Sequence, residues 1–360
     1  MKENTFRQLL HILDSIFHGK GDTDGYDCND IMKEANRQAL TGIVADYLTN
    51  SCKNLTHEKK LHYISIVLQI ERKNKWMNQQ QAWLADLFRK NGIRHTVMKG
   101  QTVARFYPNP LLRMPGDIDV YVAKNDFRKA CALIEHEKYT KTDFTMLHAT
   151  YCQKGKAEIE IHFAIQKLQW LPHYRYLQSI TLAGVDNAKP EYTDIDGRQI
   201  SILPKELEVL LYTVHAFNHV VNGGLGLRQI IDWMLCIEKT GDCIDIKLLK
   251  EYLVKTGMSR MFRVLGYICS EYLGMSLKEP FWMKSGLHYN HKDIKLGERL
   301  LSWVEECGNF GHSMNLSKVG FYMLFLKICL RFCYLSRKEM FIYPFMKIKR
   351  GITGENHLRK

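Results

Sequence analysis

Gly116-Asp117-Ile118-Asp119-Val120-Tyr121-Val122 is the stretch that decides the fold. Its apolar, largely β-branched residues predict a mostly buried strand. Residues i and i+2 of a strand point to the same face, so Asp117 and Asp119 are expected to project side by side. Two adjacent carboxylates in an apolar setting repel each other and are costly to desolvate. A divalent cation removes that cost. Hard oxygen donors suit Mg²⁺, which commonly arrives with phosphates. Asp-x-Asp alone has plainer alternatives, flanking a loop or pairing with Arg113, so the flanking sequence matters.

Upstream, Ile93-Arg94-His95-Thr96-Val97-Met98-Lys99-Gly100-Gln101 predicts a short strand, a Gly turn and then a helix over Thr102–Tyr107. A Gly turn opening a helix presents free backbone N–H groups and a positive dipole end, which favour an anion. Downstream, Ala157-Glu158-Ile159-Glu160-Ile161-His162-Phe163 alternates, placing Glu158, Glu160 and His162 on one face. Lys154-Gly155-Lys156 predicts a hairpin turn leading back from a strand over Met146–Cys152. One small unit thus offers an anion cradle, a carboxylate pair and a further carboxylate on another strand.

Lys99-Gly100, Tyr107-Pro108-x-Pro110, Arg113-x-x-Gly116-Asp117-x-Asp119 and Glu160-Ile161-His162 together resemble a bacterial nucleotidyltransferase family of the DNA polymerase beta-like superfamily. The resemblance covers about residues 89–165, with a weaker echo in His215-x-x-x-His219 and Arg228-x-x-x-Asp232. The broad superfamily prefers Gly-Gly or Gly-Ser at the phosphate turn. Lys99-Gly100-Gln101 departs from that and is similar to the narrower family.

The resemblance implies an α+β fold: a small polymerase-beta-like core with a mixed sheet and helices, flanked by N- and C-terminal helical regions. It implies Mg²⁺-dependent transfer of an NMP from an NTP to a hydroxyl acceptor, with pyrophosphate released by a two-metal mechanism. Asp117 and Asp119 would hold both ions. Glu160 would complete the shell of one ion or take the acceptor's proton. The amides of Gly100 and Gln101, with Gly116 nearby, would cradle phosphates, and Lys99 or Arg113 would offset developing charge. The alternative is a non-catalytic protein on the same fold that holds nucleotide or nucleic acid.

Several residues keep a structural alternative. His162 either touches the metal, orients a carboxylate or is simply a satisfied histidine. His215 and His219 have helical i, i+4 spacing without the Glu of a zinc protease, so they are expected to line the cleft or to pack against the catalytic unit. Arg228 and Asp232 share that spacing and are expected to pair.

The 360 residues suffice for two or three subdomains: an N-terminal helical cap over 1–88, a catalytic core over 89–185 and a helical region with a basic tail over 200–360. Apolar periodicity predicts helices over Phe6–Phe17, Asn29–Leu48, Glu58–Lys90, Lys124–Glu137 (capped by Asn125), Glu206–Val221, Leu227–Lys239, Ile246–Lys255 and Ser259–Leu273. Residues 19–25 and 185–200 read as joints. The ten cysteines show no CxxC spacing, which predicts reduced thiols, not a disulfide framework. Polar residues interrupt the early apolar run, so no secretory signal is read and a cytoplasmic setting is expected.

The net charge of +13 is concentrated near the C-terminus, where Lys318, Lys327, Arg331, Arg337, Lys338, Lys347, Lys349, Arg350, Arg359 and Lys360 face only Glu339 and Glu355. Such an end attracts polyanions such as RNA, DNA or anionic lipid, or else is a solvated tail. Val319–Leu335 is apolar but interrupted by Lys327 and Arg331, so a core or membrane-touching helix is expected and a transmembrane segment is not.

Overall fold

The computed structural model describes residues 4–19, 25–52, 55–278, 280–309 and 318–353. The first three residues, most of the 19–25 joint and the last seven residues, with Glu355, Arg359 and Lys360, lie outside that range.

Four helices precede the sheet: α1 (Thr5–His18), α2 (Cys28–Arg37), α3 (Thr41–Ser51) and α4 (His57–Lys90). A single helix was expected over 29–48. The chain instead breaks at Gln38–Leu40, where Ala39 takes a left-handed φ of 56° and the backbone turns between α2 and α3. Then come β1 (His95–Met98), α5 (Gln101–Ala104), β2 (Ile118–Val122), α6 (Phe127–His136), β3 (Thr140–Phe144), β4 (His148–Cys152) and β5 (Ile159–His162). The expected 102–107 helix is cut to the four residues of α5, ahead of Pro108 and Pro110. α6 starts later than expected, with Asp126 and not Asn125 at its N-cap.

The five strands form one mixed sheet in the order β1-β2-β5-β4-β3. β2 and β5 run parallel and the other neighbours are antiparallel. One face is apolar: Ile118, Val120, Val122, Ile159, Ile161, Ala149 and Tyr151 pack with Met77, Leu84 and Phe88 of α4 and Ala130, Cys131 and Ile134 of α6. Burying that face fixes the register, because a one-residue slip would turn every apolar side chain outward.

Helix α7 (Leu171–Thr181) leads to a hairpin of β6 (Glu191–Ile195) and β7 (Arg198–Ile202) that occupies most of the stretch read as a joint and runs two residues past it. Ile200 of this mostly exposed hairpin joins Val97 and Ala85 in a small core cluster with Ile195 packed against it, so its apolar pattern is faint. The rest is helical: α8 (Lys205–Val221), α9 (Leu227–Thr240), α10 (Ile246–Lys255), α11 (Ser259–Tyr272), α12 (Pro280–Ser285), α13 (His291–Cys307), α14 (Lys318–Arg331) and α15 (Arg337–Thr353). Met98 and Tyr121, on the second face of the sheet, join one large core shared by α1–α3 and α8–α15. All ten cysteines are free thiols.

Candidate active site

The second face of the sheet carries the acids. The parallel register sets Asp119 opposite Glu160 and Tyr121 opposite His162. The antiparallel register of β4 sets His148 opposite His162. Asp117 lies just before β2 and Glu158 just before β5, so both project at the open end of the same face. Among the described residues, two groupings of His, Cys, Asp or Glu bring three donor atoms within 4.8 Å of one another: Asp117–Glu158–Glu160 and His148–Glu160–His162. Both include Glu160.

The turn after β1 sends a cation back onto this face. Lys99 and Gly100 both have positive φ, 55° and 53°. A lysine in the left-handed region carries strain of the kind that functional sites hold. Its Nζ lies 2.7 Å from Asp119 Oδ1. A Cβ on Gly100 would sit 3.6 Å from the Asp117 carbonyl oxygen, so the turn passes close to the start of β2. The Gln101 side chain points away, donating to Asn78 Oδ1 at 2.5 Å, so only its backbone is free to meet a phosphate. The helix behind the turn is too short to supply the expected dipole. Gly116 is exposed with open space around it.

Electrostatics divides the acids. Asp119 is 4% exposed. Burial alone would raise its pKa, but the charge of Lys99 and the contact with His162 hold the carboxyl well below its usual range. His162 Nε2 reaches Asp119 Oδ1 at 2.9 Å and Glu160 Oε2 at 3.1 Å. Both are acceptors, so Nε2 carries the proton. Burial opposes the imidazolium, yet these two carboxylates raise the His162 pKa. Asp117 behaves in the opposite way: the negative charge of Asp119, then burial, push it up to about 6. Two like charges held together by the fold leave one acid reluctant to ionise, and a cation relieves it. The donor set is therefore suited to a hard divalent ion.

Arg113 is engaged elsewhere. Expected near the phosphates, it is buried in a bidentate pair with Asp232, Nε to Oδ1 at 2.8 Å and Nη2 to Oδ2 at 2.7 Å. Tyr107 Oη also donates to Asp232, at 2.8 Å. The expected Arg228–Asp232 pair is thus replaced, because Asp232 already has a better-placed guanidinium. Arg228 donates to the Met114 carbonyl at 3.2 Å, and its Nε is buried with no partner in the described structure. Desolvation, then the charge of Arg113, lower the Arg228 pKa, while Asp232 first, then Tyr107 and Asp117, raise it.

His215 and His219 form a neutral relay. His219 Nδ1 donates to the Gly224 carbonyl at 2.9 Å, which leaves its Nε2 to accept from His215 Nε2 at 3.2 Å. His215 Nδ1 then accepts from Gln166 Nε2 at 3.4 Å. Desolvation, then the Lys99 charge, push His215 well below its ordinary pKa; desolvation takes His219 to about 4. The pair borders the acidic face and lies outside both three-donor groupings.

The structure therefore brings Lys99, Asp117, Asp119, Glu160 and His162 together and leaves Arg113 apart. His148 and the buried, unpartnered Nε of Arg228 were not read from the sequence. Alternation in Met146–Cys152 carried a signal for His148, but only the hairpin register places it.

No curated protein matches the chain. Among the solved structures that resemble it are two with a TM-score of 0.34 each. One is the antibiotic-resistance factor ANT(2'')-Ia, 13% identical, covering 50% of this chain and 90% of its own. The other is an antigenic nucleotidyltransferase-like protein from Paracoccidioides brasiliensis, 14% identical, covering 56% of this chain and 94% of its own. The profile of the family described as "Uncharacterised nucleotidyltransferase" matches residues 24–274, well over half of the 360. The chain belongs to this nucleotidyltransferase family.

Proposed function

We propose that the chain transfers an NMP from an NTP to a hydroxyl acceptor with Mg²⁺ and release of pyrophosphate, in a catalytic core over residues 89–185. The observation that carries this reading is the Asp117–Glu158–Glu160 grouping beside Asp119, with the Asp117 pKa raised by like charge. Asp117, Asp119 and Glu160 would be the metal ligands, with Glu158 on the rim. When bound, Mg²⁺ supplies charge neutralisation at the attacking and leaving oxygens.

The chain's own residues supply position. Asp119 is held by Lys99 and His162, so its carboxylate is ionised and aimed before any ligand arrives. The Lys99–Gly100 turn and the backbone of Gln101 are the proposed cradle for the phosphates. Arg228 replaces Arg113 as the guanidinium offered to them, because a half-buried cation without a carboxylate partner gains most from an anion. His162 orients Asp119 and Glu160 through Nε2.

The test is a screen of the four nucleoside triphosphates with Mg²⁺, reading nucleotide binding and pyrophosphate release for the parent and for Asp117→Asn. Turnover lost in the variant supports the reading; equal turnover overturns it. One observation favours the non-catalytic alternative: Asp119 already has the Lys99 ammonium and the His162 N–H as internal partners. Metal-dependent nucleotide binding without pyrophosphate release, across sugar, protein and RNA acceptors, would decide for that alternative.

A further inference from the structure

The C-terminal helices α14 and α15 pack on each other, and α14 packs on α8. Their inner sides, including Phe325, Ile328, Phe332, Met340 and Tyr343, join the main core. Their outer sides have an unusual composition. Between residues 322 and 346 the exposed positions are Met323, Leu326, Lys327, Leu330, Tyr334, Arg337, Lys338, Phe341 and Phe345. Six are large and apolar or aromatic, three are cations and none is acidic.

Scattered exposed hydrophobics are ordinary, but these are not scattered. The described chain exposes fifteen large hydrophobic side chains, and six fall between 323 and 345, with Leu330 at 70% and Phe341 at 69% exposure. Met323, Leu326 and Leu330 are spaced three and four apart, one stripe along α14. Phe341 and Phe345 lie one turn apart on α15 with ring centroids 5.5 Å apart.

The local acids do not offset the cations. Glu339 is fully buried, accepting the backbone N–H groups of Gln169 and Trp170 and facing His173 Nδ1 at 2.8 Å. Glu306 is engaged by Arg331 at 3.2 Å, so neither of those two is counted in the exposed charge.

We propose that this face lies against an anionic membrane surface. Aliphatic and aromatic side chains on the exposed sides of two packed helices enter the boundary of a bilayer, while lysine and arginine meet lipid phosphates. A nucleic-acid face is more polar and uses aromatics for stacking; exposed Met323, Leu326 and Leu330 have no such use. The contact is peripheral, because among the described residues no helix is long and apolar enough to cross a membrane.

The test is co-sedimentation of the full chain with vesicles of phosphatidylcholine alone and of phosphatidylcholine mixed equally with phosphatidylglycerol. The expected result is binding to the mixed vesicles, weaker binding to the neutral ones and loss at high salt. The double variant Leu330→Glu, Phe341→Glu should weaken binding at least about tenfold, since each removes an inserted apolar side chain. Both side chains are exposed, so melting temperature and nucleotide binding should stay at parental values. Lys327→Gln with Lys338→Gln should remove the preference for anionic lipid. Absence of parental binding to mixed vesicles, or a double variant that sediments like the parent, overturns the proposal. Loss of RNA binding or of self-association in the double variant, without vesicle binding by the parent, overturns it in favour of those partners.

Discussion

Asp119 and Glu160 are direct partners across the parallel pair of β2 and β5, and one nitrogen of His162 reaches both carboxylates. Strand spacing, not a loop, sets how far apart these acids sit. The arrangement is lopsided in charge. Asp119 has Lys99 and His162 against it, whereas Asp117 sits beside another anion and is pushed up to about 6. That asymmetry separates the expected behaviour of substitutions that look alike.

Asp119→Asn should unsettle the fold as well as the chemistry. It leaves the Lys99 ammonium buried without its carboxylate, and losing one partner of a buried pair costs about 3–5 kcal/mol. Asp117→Asn removes a repelled charge, so the metal-free protein should be unchanged or more stable by on the order of 1 kcal/mol. Both should cut pyrophosphate release at least about a hundredfold. Urea melts beside the turnover assay test the contrast. Equal destabilisation by both substitutions would show that the charge balance is misread.

The same asymmetry gives a pH signature. An acid whose folded pKa is raised keeps its proton in the native state after the unfolded chain has lost it. Stability therefore falls as pH rises from the ordinary aspartate range, 3.8, through the folded value of about 6. Asp117→Asn lacks that loss. The difference in melting temperature between variant and parent should be small near pH 4.5 and grow to a plateau above pH 6.5, without Mg²⁺. A difference constant across that window would mean that Asp117 ionises normally.

How much of this was legible depended on periodicity. Alternation in 157–163 put Glu158, Glu160 and His162 on one face, and β5 keeps that parity. The Asp-x-Asp strand was legible because its apolar half is fully buried by α4 and α6. The partner of Arg113 was not. Asp232 lies 119 residues away, and only the packing of α9 against the loop before β2 brings them together. Local spacing favoured the i, i+4 pair with Arg228 instead. The β6–β7 hairpin escaped notice because its residues are mostly exposed, leaving little apolar alternation to read.

Lys99→Met should make the protein depend on metal. Lys99 is the nearest positive charge to the Asp119 carboxylate, at 2.7 Å. Without it the buried anion faces Asp117 with only His162 to compensate, and the metal-free fold should lose about 3 kcal/mol. A divalent ion can then recover what the ammonium supplied. The rise in melting temperature on adding Mg²⁺ should be larger in the variant than in the parent. An equal Mg²⁺ response in both would mean that Lys99 and metal do not act on the same carboxylate.

The two arginines should behave in opposite ways. Arg113→Met leaves Asp232 buried without its bidentate partner, so about 3–5 kcal/mol of stability should be lost. Arg228→Met removes a half-buried cation that burial and Arg113 already disfavour. Its fold should be unaffected or slightly more stable. Nucleotide binding should weaken about tenfold to a hundredfold, the worth of a charge-assisted hydrogen bond. Comparing triphosphate with nucleoside separates the cause: the loss should appear for the triphosphate and be absent for the nucleoside, because the guanidinium is proposed to meet phosphate and not base. If Arg228→Met binds triphosphate like the parent, the orphaned Nε has a purely structural explanation and the phosphate reading of that side chain fails.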